Sequence, residues 1–285
     1  MIETKPSIIQ TICFRDKQYL LKRDDLLDGH FSGNKARKFH YYLHHDFPNI
    51  SHIVSHGSAQ SNAMYSLSVL AKRKGWQFVY YVHHVASFLK ENPQGNYAHA
   101  RDNGMQIIEE NPPSYYHDNT LFIPEGGHQK ESEVGIKRLA EEINEVYHDK
   151  QIDIFLPSGT GTTALFLQKY TDFKVYTTPC VGDSTYLRTQ FLELEKDLQQ
   201  HPIILDMQKK YHFGKLYREF FEIWIELKEQ TGVEFDLLYD PKGWLTLLAH
   251  QEQFKHDILY LHQGGLLGNE SMLKRYGRKF HEDTQ

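Results

Sequence analysis

Short apolar, β-rich runs alternate with stretches of helical periodicity along most of the chain. The run 51–55 (SHIVS) is followed by Asn62 to Lys74, where Met64, Leu67 and Ala71 recur at helical spacing, so the pair reads as one βα unit. Further strands are expected at 77–83, 105–109 and 121–124, with a helix over 95–102. Over 131–147, Ile136, Leu139, Ala140, Ile143 and Val146 form one stripe with charged residues opposite, which predicts an amphipathic helix. A strand at 153–156 then runs into a glycine loop at 158–163 and a helix over 164–170. Strands at 174–178, 202–205 and 257–261 alternate with helices over 185–198, 216–228 and 244–254. Strands separated by such helices imply parallel sheets covered on both faces, an α/β class. The alternation breaks at 111–119 (NPPSYYHDN) and again after Gly126-Gly127, which points to two sheets rather than one. Residues 275–285 read as a polar, frayed tail.

Composition narrows the field. A chain of 285 residues and 33.5 kDa is long enough for one large or two smaller domains. Lys plus Arg total 32 against 37 Asp plus Glu, and a net charge of -5 disfavours binding to a phosphate backbone, so no nucleic-acid partner is expected. Mean hydropathy is -0.59, yet 17 Phe, 18 Tyr and 3 Trp are more aromatic content than a disordered chain carries. Cys13 and Cys180 belong to no CxxC pair, which argues against a zinc site or a redox dithiol and fits a reducing, cytoplasmic setting. Residues 1–14 lack the basic and apolar regions of a signal peptide, and no apolar run approaches the ~18 residues of a membrane span. The His44-His45 and His83-His84 pairs lack metal-ligand spacing, so no metal is expected.

Three passages carry candidate chemistry. SGTGTT (158–163) follows an apolar strand and opens a helix, so its N–H groups and hydroxyls converge where a phosphate is favoured; the bland alternative is a tight turn. Neither G-x-G-x-x-G nor the P-loop pattern is present, and a phosphate monoester suits the loop better than a dinucleotide. In FSGNKARKF (31–39), Lys35 falls between a glycine turn and a helix, where an amine is either plain surface charge or, desolvated, able to form a Schiff base. SHGSAQSN (55–62) joins a strand end to a helix, a turn suited to capping or to holding a carboxylate.

In chain order, FSGNKARKF, SHGSAQSN and SGTGTT resemble the lysine motif, the substrate-carboxylate loop and the phosphate loop of the 1-aminocyclopropane-1-carboxylate deaminase and D-cysteine desulfhydrase family. Lys22-Arg23-Asp24-Asp25, Gly95-Asn96, PEGG (124–127), DLLYDPK (236–242) and HQGG (262–265) are similar to further landmarks of that family, and the likeness spans 22–267. The resemblance implies a fold-type II pyridoxal-phosphate enzyme, tryptophan synthase beta-like, built from two three-layer α/β/α domains. Residues 1–37 plus 129–285 would form the larger cofactor domain, and 38–128 a smaller mobile one. It implies pyridoxal 5'-phosphate as cofactor, Lys35 as Schiff-base lysine and proton-transfer base, and a small amino acid as substrate. Gly159, Thr160, Gly161, Thr162 and Thr163 would hold the phosphate, Asn62 the ring 3-hydroxyl, and Asp240 would stand near the pyridine nitrogen. Ser58, Gln60, Ser61, Phe213 and Tyr239 would face the substrate, with Ser61 and Tyr239 catalytic. A homodimer is expected from the same pattern.

The sequence departs from that family where Ser32-Gly33 replaces a glycine pair, Ala63 a histidine, Phe213 a second tyrosine and Gln263 a threonine; these substitutions are expected to alter the substrate side. The implied activity is release of ammonia and a 2-oxo acid from a substrate like D-cysteine or aminocyclopropane carboxylate. D-Cysteine would lose its α-proton to Lys35 and eliminate sulfide, whereas the cyclopropane has no α-proton and needs Ser61 and a tyrosine to open its ring. The alternative is a non-catalytic cofactor- or amino-acid-binding homologue that has lost turnover. An unrelated nucleotide-binding protein rests on SGTGTT alone.

Overall fold

The computed structural model describes residues 6–31 and 33–280; Ser32 of the lysine motif and the last five residues of the expected tail lie outside it, as do residues 1–5. The strands are β1 (Ile9–Phe14), β2 (Lys17–Arg23), β3 (His52–His56), β4 (Gln77–Tyr81), β5 (Met105–Ile108), β6 (Thr120–Ile123), β7 (Ile152–Ser158), β8 (Lys174–Pro179), β9 (Ile203–Ile204) and β10 (Asp257–His262). They form a six-stranded sheet of order β1-β2-β10-β7-β8-β9 and a four-stranded sheet of order β5-β4-β3-β6. Every pairing is parallel except the β1–β2 hairpin. The strands of the four-stranded sheet all fall between 52 and 123.

β7 shows why these residues make a central parallel strand. All seven of its positions are buried, as a strand covered on both faces requires. Its Ile154 and Leu156 pack with Ile136, Leu139 and Phe166 from the helices Ser132–Val146 and Thr162–Tyr170. Phe155, pointing the other way, packs with Trp224 and Trp244 from the helices Arg218–Thr231 and Asp240–Ala249. A second core joins Ile53, Phe78, Met105 and Ile123 of the four-stranded sheet to Leu67 and Leu70 of the helix Asn62–Lys74.

The elements read from the pattern are present with shifted ends. The helix expected over 185–198 is Ser184–Leu194, the one over 244–254 starts earlier at Asp240 with Pro241 in its first turn, and the strand over 202–205 shrinks to Ile203–Ile204. One element is additional to those read, and one reading needs correcting. The hairpin β1–β2 was not legible, because its turn residues Arg15 and Asp16 adopt φ of 48° and 59° without an Asn-Gly signature. Nor are residues 275–279 a frayed tail: they continue the helix Asn269–Lys279, whose Tyr276 stacks on Phe221 with ring centroids 4.9 Å apart.

One short helix, Gly33–Lys38, positions the candidate lysine. Its Arg37 is buried and bonds Asp24 at 2.9 Å and Glu142 at 2.5 Å; Lys22 donates to Glu142 and to the Ser7 carbonyl, each at 2.7 Å. Two cations and two carboxylates balance in this cluster, which ties the helix to β2 and to Ser132–Val146. The approach is close enough that a Cβ at Gly135 would run into the Arg37 carbonyl.

Candidate active site

Loops that follow β3, β6, β7, β8 and β10 surround a single cavity of about 460 Å³. Ligands of open α/β sheets bind outside the carboxyl ends of the strands, and the volume falls in the range of small-molecule sites.

Lys35 lies in this cavity, its Nζ donating to Asn34 Oδ1 at 3.0 Å. Burial pulls its ammonium down from 10.5 to about 8, only partly opposed by the charge of Asp236. One helical turn on, Lys38 also faces the cavity; its Nζ donates to the Gly126 carbonyl at 2.9 Å and to Thr160 Oγ1 at 3.3 Å. Burial, and then the charge of Lys35, press it well below the ordinary lysine range. No carboxylate pairs with Lys38 among the described residues. A half-buried amine, Lys35, and a buried one, Lys38, therefore share one cavity with residues of the glycine loop.

That loop is shaped for an anion. Gly161 precedes the helix Thr162–Tyr170 with φ of 74°, and a Cβ there would stand 2.5 Å from Leu187 and Phe191, so no other residue fits. It supplies no capping side chain, which leaves the first N–H groups of the helix to a ligand. The Thr163 hydroxyl is buried without a partner, and Thr160 Oγ1 links Lys38 to Thr162, whose hydroxyl reaches His128 at 3.1 Å. Orphaned donors, a helix N-terminus and an ammonium without a carboxylate fit a phosphate, and Lys35 lines the same cavity. Gly159, Thr160, Gly161 and Thr163 line the cavity, while Thr162 stands behind it.

The loop after β3 also lines the cavity. Ser61 caps the helix Asn62–Lys74, accepting from Ala63 N at 3.1 Å, and Ser58 Oγ accepts from Gln60 N at 3.3 Å. Asn62 Oδ1 accepts from Asn96 at 2.6 Å, and its amide faces Asp236. The capping reading of SHGSAQSN holds at Ser61, and Ser58, Gln60, Ser61 and Asn62 all line the cavity.

Two acids close the floor. Asp240 Oδ1 accepts from Tyr260 at 2.6 Å and Oδ2 from Asp236 N at 2.9 Å; Asp236 Oδ1 accepts from the N–H groups of Leu238 and Tyr239. Burial pushes Asp236 up to about 7, and burial together with the neighbouring carboxylate pushes Asp240 well above the usual range. Such a pair holds at least one proton at neutral pH. Tyr239 lines the cavity with its ring 5.3 Å from Phe213, and burial raises its hydroxyl above the ordinary range.

Every site residue read from the sequence except Thr162 thus lines one cavity. Gln263 lines it too, but its side chain is not free to meet a substrate as expected: Nε2 donates to Pro157 O at 2.6 Å and Oε1 accepts from Asn34 at 2.9 Å. Lys38, Asp236 and Arg275 were missed. Lys38 was within reach, since three residues beyond Lys35 on one helix is the same face. Asp236 lay unremarked inside DLLYDPK, and Arg275 carried no signal. Among the described residues no His, Cys, Asp or Glu group is arranged to hold a metal, and no helix is long and apolar enough to cross a membrane.

No family model matches the chain. It is 22% identical, over 94% of its length and 96% of the relative's, to a Thermotoga maritima protein that bears the provisional name 1-aminocyclopropane-1-carboxylate deaminase. A rice protein provisionally named mitochondrial D-cysteine desulfhydrase 2 is 23% identical over 65% of this chain and 50% of its own. Among solved structures, an ACC deaminase homologue superposes with a TM-score of 0.77 at 20% identity, covering 98% of this chain and 94% of its own. A hydrogen sulfide-producing enzyme of Fusobacterium nucleatum gives 0.58 at 13% identity, with 92% and 95% covered. The chain therefore has the fold of the fold-type II pyridoxal-phosphate enzymes, and it resembles relatives named for 1-aminocyclopropane-1-carboxylate deaminase and D-cysteine desulfhydrase.

Proposed function

We propose that the protein is a pyridoxal-phosphate-dependent lyase or deaminase that converts a small amino acid to ammonia and a 2-oxo acid. The observation that carries this reading is a desolvated Lys35, drawn to about 8, in one cavity with an uncapped glycine loop and the unpaired ammonium of Lys38. When bound, pyridoxal phosphate supplies an electron sink for the pair left on the substrate carbon as its proton departs. Lys38, Thr163 and the first N–H groups of Thr162–Tyr170 hold the phosphate. A substantial fraction of Lys35 is neutral near pH 8, so its Nζ accepts the substrate proton. Ser58, Gln60 and Ser61 would hold the α-carboxylate, Asn62 would bond the ring hydroxyl, and Asp240, paired with Asp236, would serve the ring nitrogen. Tyr239 closes the substrate side.

Phe213, against Tyr239, brings no second hydroxyl. This favours a substrate that loses an α-proton, as D-cysteine does, over one whose ring must be opened. Residues 38–128 are proposed to move as a smaller domain against 1–37 plus 129–285, in a cytoplasmic homodimer.

The test is spectroscopic and chemical. Addition of the cofactor to wild type gives a visible absorption band that Lys35→Ala abolishes, and a panel of D- and L-amino acids yields ammonia with pyruvate or 2-oxobutyrate. A protein that stays colourless refutes the reading, and a band without any product supports a binding homologue instead.

A further inference from the structure

Arg275 is the one cationic group of the cavity lining that the proposed chemistry does not use. It stands one helical turn beyond Ser271 on Asn269–Lys279 and lines the cavity with Met272, Phe213 and Gly214. Its guanidinium donates to the Gly214 carbonyl at 2.6 Å and rests on Met272 Sδ at 3.1 Å. Among the described residues no carboxylate pairs with it and its other donors meet no protein acceptor. Partial burial lowers its pKa. A guanidinium without an acid keeps its planar fork for a carboxylate-like group.

Ser58, Gln60 and Ser61 are already assigned to the α-carboxylate, so a neutral small amino acid leaves Arg275 unsatisfied. Glu125 stands elsewhere on the rim, close to Gly57 and Tyr80, and repels a second anion from that side. We propose that Arg275 is a specificity residue that reads an anionic group on the substrate's side chain, so that the site takes short amino acids that carry a leaving group on the β-carbon and end in a carboxylate or a sulfonate. The leaving group departs with the electron pair freed by loss of the α-proton, and water then releases ammonia and the 2-oxo acid. This rests on the function proposed above and narrows its substrate class.

Calorimetric titration of the holoenzyme with matched pairs, aspartate against asparagine and glutamate against glutamine in both enantiomers, reads binding apart from turnover. At least one acid is expected to bind tenfold or more tightly than its amide. In Arg275→Gln the preference should fall within threefold while the amide is unaffected, and Arg275→Lys should restore part of it. Three results overturn the proposal: no acid preferred by wild type, a preference that survives Arg275→Gln, or an equal loss for acid and amide, which puts Arg275 on the α-carboxylate. The wild-type comparison needs no variant to fold. Failure of the parent reading shows separately, as a missing cofactor band.

Discussion

Replacing Lys35 by methionine should make the cofactor-free protein more stable at neutral pH. Lys35 titrates near 8 in the folded chain against 10.5 when solvated, so the unfolded state binds its proton more tightly. At about 1.4 kcal/mol per pH unit, the folded state bears a cost of about 3 kcal/mol, full below pH 8 and gone by pH 10.5. Methionine fills nearly the same space and removes that cost. The attraction to Asp236 is already contained in that net shift, so only loss of the bond to Asn34, worth about 1 kcal/mol, works against it, leaving a gain of about 2 kcal/mol. For a chain of this size that raises the melting temperature by about 4–8 °C. Thermal melts of cofactor-free wild type and Lys35→Met between pH 7 and 10.5 measure it. The difference should hold to pH 8 and then shrink. A variant that melts at or below wild type at pH 7, or a difference undiminished at pH 10.5, refutes the claim that the amine is held against its own solvation.

Lys38→Met should weaken pyridoxal-phosphate binding by about 10–100-fold, the worth of one charge-assisted hydrogen bond; an absorbance titration with unchanged affinity refutes its place at the phosphate. Gly161→Ala adds a Cβ 2.5 Å from Leu187 and Phe191 at positive φ, and should cost about 2–4 kcal/mol in urea denaturation, whereas a loss below about 0.5 kcal/mol would show that the loop has slack. Asp24→Asn strips Arg37 of the buried one of its two carboxylates and should cost about 3 kcal/mol; an unchanged denaturation midpoint contradicts a supporting role for the cluster.

What could be read from the sequence follows the range of the forces involved. Lys35 and the glycine loop announced themselves because a turn, a helix start and their glycines are local events. The α/β class was legible for the same reason, since periods of two and 3.6 show within one element. The β1–β2 hairpin escaped because Arg15 and Asp16 adopt left-handed backbone without the residues that advertise it. The helix Asn269–Lys279 escaped because its buried stripe is little more than Met272 and Tyr276 among polar neighbours. Asp236 and Arg275 enter the cavity only through tertiary packing, which no local pattern encodes. The role of Gln263 was misjudged because its partners lie 229 and 106 residues away.

Gln263 acts as a gauge. Its side chain spans from the residue before Lys35 to the residue before Ser158 and the glycine loop, and its own carbonyl accepts from Asn34 N at 3.0 Å. The separation between amine and phosphate cradle is therefore set by the length of one amide side chain. A threonine, usual in the family this chain resembles, is too short to bridge both partners. In chains that carry threonine, other contacts must fix that interval, and a swap at this position changes how the site is measured out rather than what it selects.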